Sequence, residues 1–222
     1  MINKEFWKDK KVLITGHTGF KGSWLTLWMI NLGAEVYGYS LKPNNQKDLF
    51  NLFNQNLKNK FTSKIGNILN KEYFFEYIQE IKPDFIFHLA AQPLVIDSYK
   101  EPLKTWETNV IGTLNLLEAV KYSSKKCGIV FVTTDKVYEN KEWDYGYREN
   151  DILGGNDPYS ASKAASEIAI SSWRKSFCGQ ARKQNTNIYI ATARAGNVIG
   201  GGDWSKYRLL PDCIRSLEQE EE

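Results

Sequence analysis

Three groups of residues carry possible chemistry in their types and spacing. The first is Gly16-His17-Thr18-Gly19-Phe20-Lys21-Gly22, which follows an apolar run at Lys11 to Ile14. It precedes Trp24-Leu25-Thr26-Leu27-Trp28-Met29-Ile30, which has helical spacing and stops at Gly33. A strand that feeds a glycine turn and then a helix can cradle phosphate. Glycines let backbone N–H groups approach an anion, and the helix N-terminus adds positive partial charge. The spacing is G-x-x-G-x-x-G rather than the commoner G-x-G-x-x-G, yet the physics is the same. Its place between strand and helix predicts a dinucleotide site, against the plainer reading of an ordinary turn. The second group is Tyr159-Ser160-Ala161-Ser162-Lys163, preceded by Pro158. Tyr and Lys four residues apart share one helical face, and Pro suits a helix start. A nearby ammonium and a cationic nicotinamide would lower the phenol's proton affinity and make it a usable base. Lys163 could also hold the nicotinamide ribose; the plain alternative is a chance pair. The third group lies at the ends of apolar runs. Thr133-Thr134-Asp135-Lys136-Val137-Tyr138 follows Val130-Phe131-Val132, and Leu89-Ala90-Ala91-Gln92 follows Phe85-Ile86-Phe87-His88. Parallel sheets bind ligands at such ends, and small residues there let a cofactor lie close to the backbone.

The elements that must position these groups alternate. Strands are expected at 11–14, 35–39, 61–65, 85–89, 129–132 and 188–193. Helices are expected at 24–30, near 49–53, and at 71–81, 103–122, 161–177 and 209–217. Alternation of this kind predicts an α/β fold, a Rossmann-type doubly wound parallel sheet with helices on both faces. The second strand ends at Ser40 and carries no acid where one is expected to bind the ribose 2′-hydroxyl. Ser40 could bind that hydroxyl, while Lys42 could accept a 2′-phosphate. Charge alone therefore leaves NAD and NADP both open.

Composition narrows the class. Of 222 residues, 42% are hydrophobic and 25% charged, which excludes a disordered or collagen-like chain. The net charge of +3 comes from scattered Lys and Arg, so no stripe marks a nucleic-acid partner. The start, Met1 to Lys8, is charged and unlike a secretory leader. No apolar run approaches the ~20 residues that cross a bilayer, so no membrane partner is expected. Three separated cysteines, Cys127, Cys178 and Cys213, fit reduced thiols and a cytoplasmic location. With only His17 and His88, no metal site is expected.

In their order and spacing these pieces resemble the extended short-chain dehydrogenase/reductase family. The matching parts are Gly16-x-x-Gly19-x-x-Gly22, His88-Leu89-Ala90-Ala91, Asn109 in Asn109-Val110-Ile111-Gly112-Thr113, Thr134, and Tyr159-x-x-x-Lys163. Four further stretches resemble its sugar-nucleotide 4,6-dehydratases, those acting on CDP-glucose above all. They are Gly16 to Trp24, Ala91-Gln92-Pro93-Leu94-Val95, Thr134 to Asn140, and Arg194-Ala195-Gly196-Asn197-Val198-Ile199-Gly200-Gly201-Gly202-Asp203-Trp204.

The resemblance implies an NAD-dependent lyase of dideoxysugar and cell-surface polysaccharide biosynthesis. Its steps would be C4 oxidation, loss of water across C5 and C6, and return of the hydride to C6. Tyr159 would take the 4-hydroxyl proton, helped by Thr134, with Lys163 beside it. Asp135, if burial raised its proton affinity, would protonate the departing 6-hydroxyl. Lys136, if desolvated, would take the C5 proton, or else stabilise the enolate. The cofactor would be held by Gly16, Thr18, Gly19, Phe20, Lys21, Gly22, Ser40, Asn67, Ile68, Leu89, Ala90, Ala91, Gln92, Thr133, Tyr159 and Lys163. Asn67 stands where the family usually has Asp near the adenine. Gln92, Thr134, Asn197, Arg208 and the Gly200–Gly202 loop would face the substrate. Arg208 also reads as a solvated helix-start residue, and Arg194 as structural.

Residues 1–193 are expected to form the cofactor domain, and 194–222 the start of an incomplete substrate domain, since the closing Glu218 to Glu222 run reads as an interrupted chain. Family members commonly pair into dimers through helices at 103–122 and 161–177. The competing readings are an epimerase or reductase on the same scaffold, or a truncated module that binds cofactor without turnover.

Overall fold

A computed structural model describes residues 3–43, 45–57, 59–121, 123, 125–178 and 187–219. Residues 1–2, residue 122 at the end of the expected long helix, and 220–222 of the acidic run lie outside them. Six strands make one parallel sheet: β1 (Lys11–Thr15), β2 (Glu35–Ser40), β3 (Phe61–Ile65), β4 (Phe85–His88), β5 (Cys127–Thr134) and β6 (Ile188–Ala195). Their order is β3-β2-β1-β4-β5-β6. The order reverses between β1 and β4, which leaves a crevice above the carboxyl ends of those two strands.

Helices cover the sheet: α1 (Lys4–Trp7), α2 (Phe20–Asn31), α3 (Leu49–Leu57), α4 (Lys71–Ile81), α5 (Val95–Lys100), α6 (Pro102–Trp106), α7 (Gly112–Lys121), α8 (Pro158–Phe177) and α9 (Leu209–Glu218). Alternate strand residues feed two cores. Leu13, Tyr39, Ile86, Ile129 and Phe131 pack with Phe74 and Ile78 of α4, Leu116 and Leu117 of α7, and Ile170 of α8. On the other face Val12, Ile14 and Val36 pack with Met29 and Leu32, with Trp7 and Leu25 beside them. The expected doubly wound α/β class is therefore what the chain forms.

The helix expected at 103–122 differs from its reading. Between α6 and α7 the backbone widens into a π-helical turn, Glu107–Ile111. That turn carries Asn109, and its extra residue leaves the Asn109 carbonyl to accept hydroxyls from Thr113 at 2.7 Å and Ser166 at 2.8 Å.

Two histidines are sealed into this framework. His17 packs where Gly38 has no side chain, and its Nε2 meets Ser63 Oγ at 2.7 Å. His88 Nδ1 meets Thr15 Oγ1 at 2.8 Å. Burial lowers the pKa from 6.5 to about 4 for His17 and about 3 for His88. The unfolded chain thus binds more protons below pH 6.5, so stability present above that pH drains away as pH falls toward 4. Unfolding free energies from urea titrations should fall between pH 7 and pH 5 by roughly 2 kcal/mol per histidine. His88→Gln should flatten that dependence.

Candidate active site

Thr15 begins the site. Its Oγ1 accepts from the Leu89 and Ala90 amides at 3.2 Å each, which ties the end of β1 to the turn after β4. Gly16 follows with φ +74°, and a Cβ there would stand 2.8 Å from the Ala90 nitrogen. A Cβ on Gly22 would stand 2.0 Å from the Gly16 carbonyl oxygen. Only glycine lets the turn close this tightly against its own helix. Gly19 caps α2 with no side chain over its first amides. That cradle fits a pyrophosphate.

Thr18 and Ser40 share a 2.8 Å hydrogen bond at the end of β2, and Thr18 also donates to the Leu41 carbonyl. Asn67 is exposed, its Oδ1 accepting the Leu69 amide at 3.0 Å. Ile68 is buried against Gly112. Phe20 lies against Gly200 of the later loop. Lys21 is drawn into the crevice, where burial and the Arg208 charge lower its proton affinity and Asp203 raises it.

α8 starts on Asp157, whose side chain accepts the Ser160 amide at 2.9 Å, with Pro158 next. This start places Tyr159 and Lys163 in the buried face. The Thr134 hydroxyl donates to Asp135 Oδ1 at 3.0 Å, and it lowers the proton affinity of the Tyr159 phenol. Burial pushes the Tyr159 phenol up, outweighing the lowering by Thr134 and Arg208. Lys163 turns instead to the Val132 carbonyl, at 3.3 Å. Burial, aided by Lys21, brings its pKa down to about 8.

Asp135 and Lys136 depart from expectation. The acid role of Asp135 asked for burial and the base role of Lys136 for desolvation, whereas enolate stabilisation by Lys136 asked for neither. Their side chains are 54% and 43% exposed, and they face each other at 3.5 Å. They occupy a short 3-10 turn, Asp135–Val137, that projects past the end of β5 to the rim.

Gln92 and Thr133 turn inward. Gln92 Nε2 donates to the Leu94 carbonyl and to Thr105 Oγ1, and its Oε1 accepts the Leu94 amide. Thr133 donates to Glu167 at 2.6 Å. Asn109 is 2% exposed and holds the Gln92 backbone on both sides while donating to Ser162 Oγ at 2.9 Å. Asn109→Leu would leave those groups unpaired and should cost about 3 kcal/mol in a urea titration.

The 196–208 segment folds back over α2 and α3. Trp24 Nε1 donates to the Gly201 carbonyl at 2.9 Å, Gly202 lies on Leu49, and Lys47 stands over the Trp204 ring. Arg208 is paired with Asp203 at 3.4 Å rather than solvated. Between this segment and the turn at 93–96 lies a cavity of about 690 Å³. Thr134, Lys136, Tyr159, Asn197 and Arg208 line it, with Leu94, Ile199 and Ile214 on its apolar walls. Sequence reasoning missed Glu167, Arg194's clamp on it, and the Gln92–Asn109–Thr105 turn. An acid at the fourth residue after Lys163 was the available signal for the first. No metal-holding cluster occurs among the described residues, and none of their helices is long and apolar enough to cross a membrane.

A glycine cradle at the β1–β4 crevice and a Tyr/Lys pair beside a strand-end Thr define a dinucleotide-binding fold of the short-chain dehydrogenase/reductase type. The family model described as GDP-mannose 4,6 dehydratase matches residues 13–189, and the chain belongs to that family. CDP-glucose 4,6-dehydratase of Salmonella typhimurium is 48% identical over 222 residues, covering 100% of this chain and 61% of that protein. A dTDP-D-glucose 4,6-dehydratase of Dictyostelium discoideum is 31% identical over 98% of this chain and 50% of its own length. The chain thus spans about half to three fifths of these relatives. Among solved structures, UDP-glucuronic acid 4-epimerase of Bacillus cereus, in complex with UDP-glucuronic acid and NAD, superposes with a TM-score of 0.79 at 25% identity. That match covers 95% of this chain and 64% of the other.

Proposed function

We propose that this chain is the cofactor-binding and catalytic part of an NAD-dependent dehydratase that converts CDP-D-glucose to CDP-4-keto-6-deoxy-D-glucose. One observation carries the reading: Tyr159 and Thr134 line the same cavity as Asn197 and Arg208. The 48% identity to the Salmonella CDP-glucose 4,6-dehydratase supports the substrate. NAD in the Bacillus cereus relative supports the cofactor.

Gly16, Gly19 and Gly22, with the first amides of α2, hold the pyrophosphate. Ser40, Asn67 and Ile68 border the adenosine side, while Leu89, Ala90 and Ala91 floor the crevice. Bound NAD supplies a hydride acceptor and a cationic ring. Tyr159 takes the proton of the sugar 4-hydroxyl, with Thr134 beside it on the cavity wall. Lys163 keeps a positive charge beside that phenol and holds the ribose. Lys136, which lines the cavity from the rim, stabilises the enolate of the elimination, and Asn197, Arg208 and the Gly200–Gly202 amides face the diphosphate.

The assay is CDP-glucose plus NAD with the protein in its full natural length, read by the alkali-induced absorbance of a 4-keto-6-deoxy product. No product from folded, NAD-loaded protein overturns the reading. The exposure of Asp135 and Lys136 favours one alternative, an epimerase that needs no elimination pair; a C4 epimer in the same assay would establish it. We further infer a homodimer, supported by exposed Leu103, Trp106, Ile111 and Ile168 on and between α6, α7 and α8. Sedimentation should give twice the chain mass, and a monomer would refute it.

A further inference from the structure

The dehydratase reading gives Arg208 a ligand and leaves its partner Asp203 without a part. Among the described residues that line the cavity, Asp203 is the one carboxylate. Its side chain is 6% exposed. Its Oδ1 accepts the Ser205 amide at 3.2 Å, and its Oδ2 stands 3.4 Å from Arg208 Nε. A buried carboxylate is costly, and one on the wall of an anion's cavity also repels the occupant, unless it serves a cation there.

The manner of pairing separates Arg208 from the other arginines nearby. Glu167 takes Arg194 side-on, through Nε at 3.2 Å and Nη2 at 3.3 Å, while Arg194 Nη1 donates to the Glu149 carbonyl at 3.1 Å. Arg215 directs Nη1 to the Trp204 carbonyl and Nη2 to the Ser205 carbonyl and Asp212. Both of those guanidinium forks are occupied. Asp203 meets Arg208 at Nε alone, and no hydrogen bond among the described residues engages Arg208 Nη1 or Nη2. The Nε contact is an ion pair, and that buried N–H has no hydrogen-bond partner. Arg208 is thus held at one nitrogen and keeps its fork for something else, on the wall of the cavity. A planar fork of two N–H pairs matches two phosphate oxygens.

We propose that Asp203 is a positioning residue: by pairing with Arg208 at Nε, it holds both Nη groups ready for the diphosphate of the sugar nucleotide. This deepens the dehydratase reading and rests on its placing the diphosphate at Arg208. An acid that competed with the ligand would occupy the fork, as Glu167 and Asp212 do on their arginines. One seated at Nε leaves the fork to the ligand and restricts a long side chain beforehand, so less freedom is lost on binding.

The test is a calorimetric titration of CDP into the NAD-loaded protein of full natural length. Asp203→Asn removes the charge and keeps an acceptor for the Ser205 amide, so the turn should persist, as circular dichroism checks. Its CDP affinity should fall about tenfold. Arg208→Met should lower that affinity roughly 50-fold. Adding Asp203→Asn to Arg208→Met should change it by less than about twofold, because the acid acts only through the guanidinium. A side chain that merely shaped the loop would weaken CDP in both backgrounds, and that result overturns the proposal. So does an Asp203→Asn protein that binds CDP as well as the parent or better. In turnover, Asp203→Asn should raise KM about tenfold and hold kcat within about threefold. An unweakened Asp203→Asn beside a weakened Arg208→Met refutes this inference alone. Parent affinity in Arg208→Met overturns it together with the placing of the diphosphate. The expected CDP pattern in a protein that makes no 4-keto product would sink the dehydratase reading and leave this inference standing.

Discussion

Tyr159→Phe should reduce CDP-glucose turnover about 1,000-fold in kcat and leave NAD affinity within about twofold. The variant removes one oxygen from a side chain that is 9% exposed and otherwise packed, so the fold should persist. On the proposed reading, what disappears is the group that takes the 4-hydroxyl proton. Thr134 cannot substitute, because an unassisted hydroxyl is a far weaker base than a phenolate. Turnover by alkali absorbance and NAD binding by calorimetry read the two parts separately. Activity within tenfold of the parent would remove Tyr159 from the mechanism. Loss of NAD binding together with activity would mean that the phenol serves the cofactor instead.

Gly22→Ala should abolish NAD binding, by more than about 100-fold, and cost about 3 kcal/mol of stability. The added carbon would sit 2.0 Å from the Gly16 carbonyl oxygen and 2.7 Å from its carbon. Both belong to backbone, so no side-chain rotation relieves the clash. Either α2 retreats from β1 or the Gly16 turn opens, and each moves the amides proposed to face the phosphates. Gly146→Ala is the matching control, since a Cβ there meets nothing within 4 Å. Calorimetry with NAD and a urea titration of both variants decide the matter. Parent-like affinity in Gly22→Ala would show that the pyrophosphate lies elsewhere.

Much of this architecture was legible in the residues because the physics is local. Strand β4 follows a short, continuous apolar run, and helix α4 a longer run with apolar residues at helical spacing. The break at Glu107–Ile111 was not legible. Trp106, Val110, Leu114, Leu117 and Val120 keep one helical period straight through it, and the widened turn is set by Gln92, Ser162 and Ser166, all distant in sequence. The same holds for proton affinities. A Tyr and a Lys four residues apart suggest mutual influence, yet Lys163 turns to Val132 and burial dominates Tyr159. Solvent access to Asp135 and Lys136 likewise depends on how the 196–208 segment sits, which no short motif encodes.

The contact of Trp24 with Gly201 joins the bed of one ligand to the wall of the other. Anything that orders the Gly200–Gly202 backbone from the cavity side also steadies the start of α2, and the reverse holds. Thermodynamic reciprocity then requires that each occupant tighten the other by the same factor. On the proposed reading, saturating sugar nucleotide should slow escape of the dinucleotide.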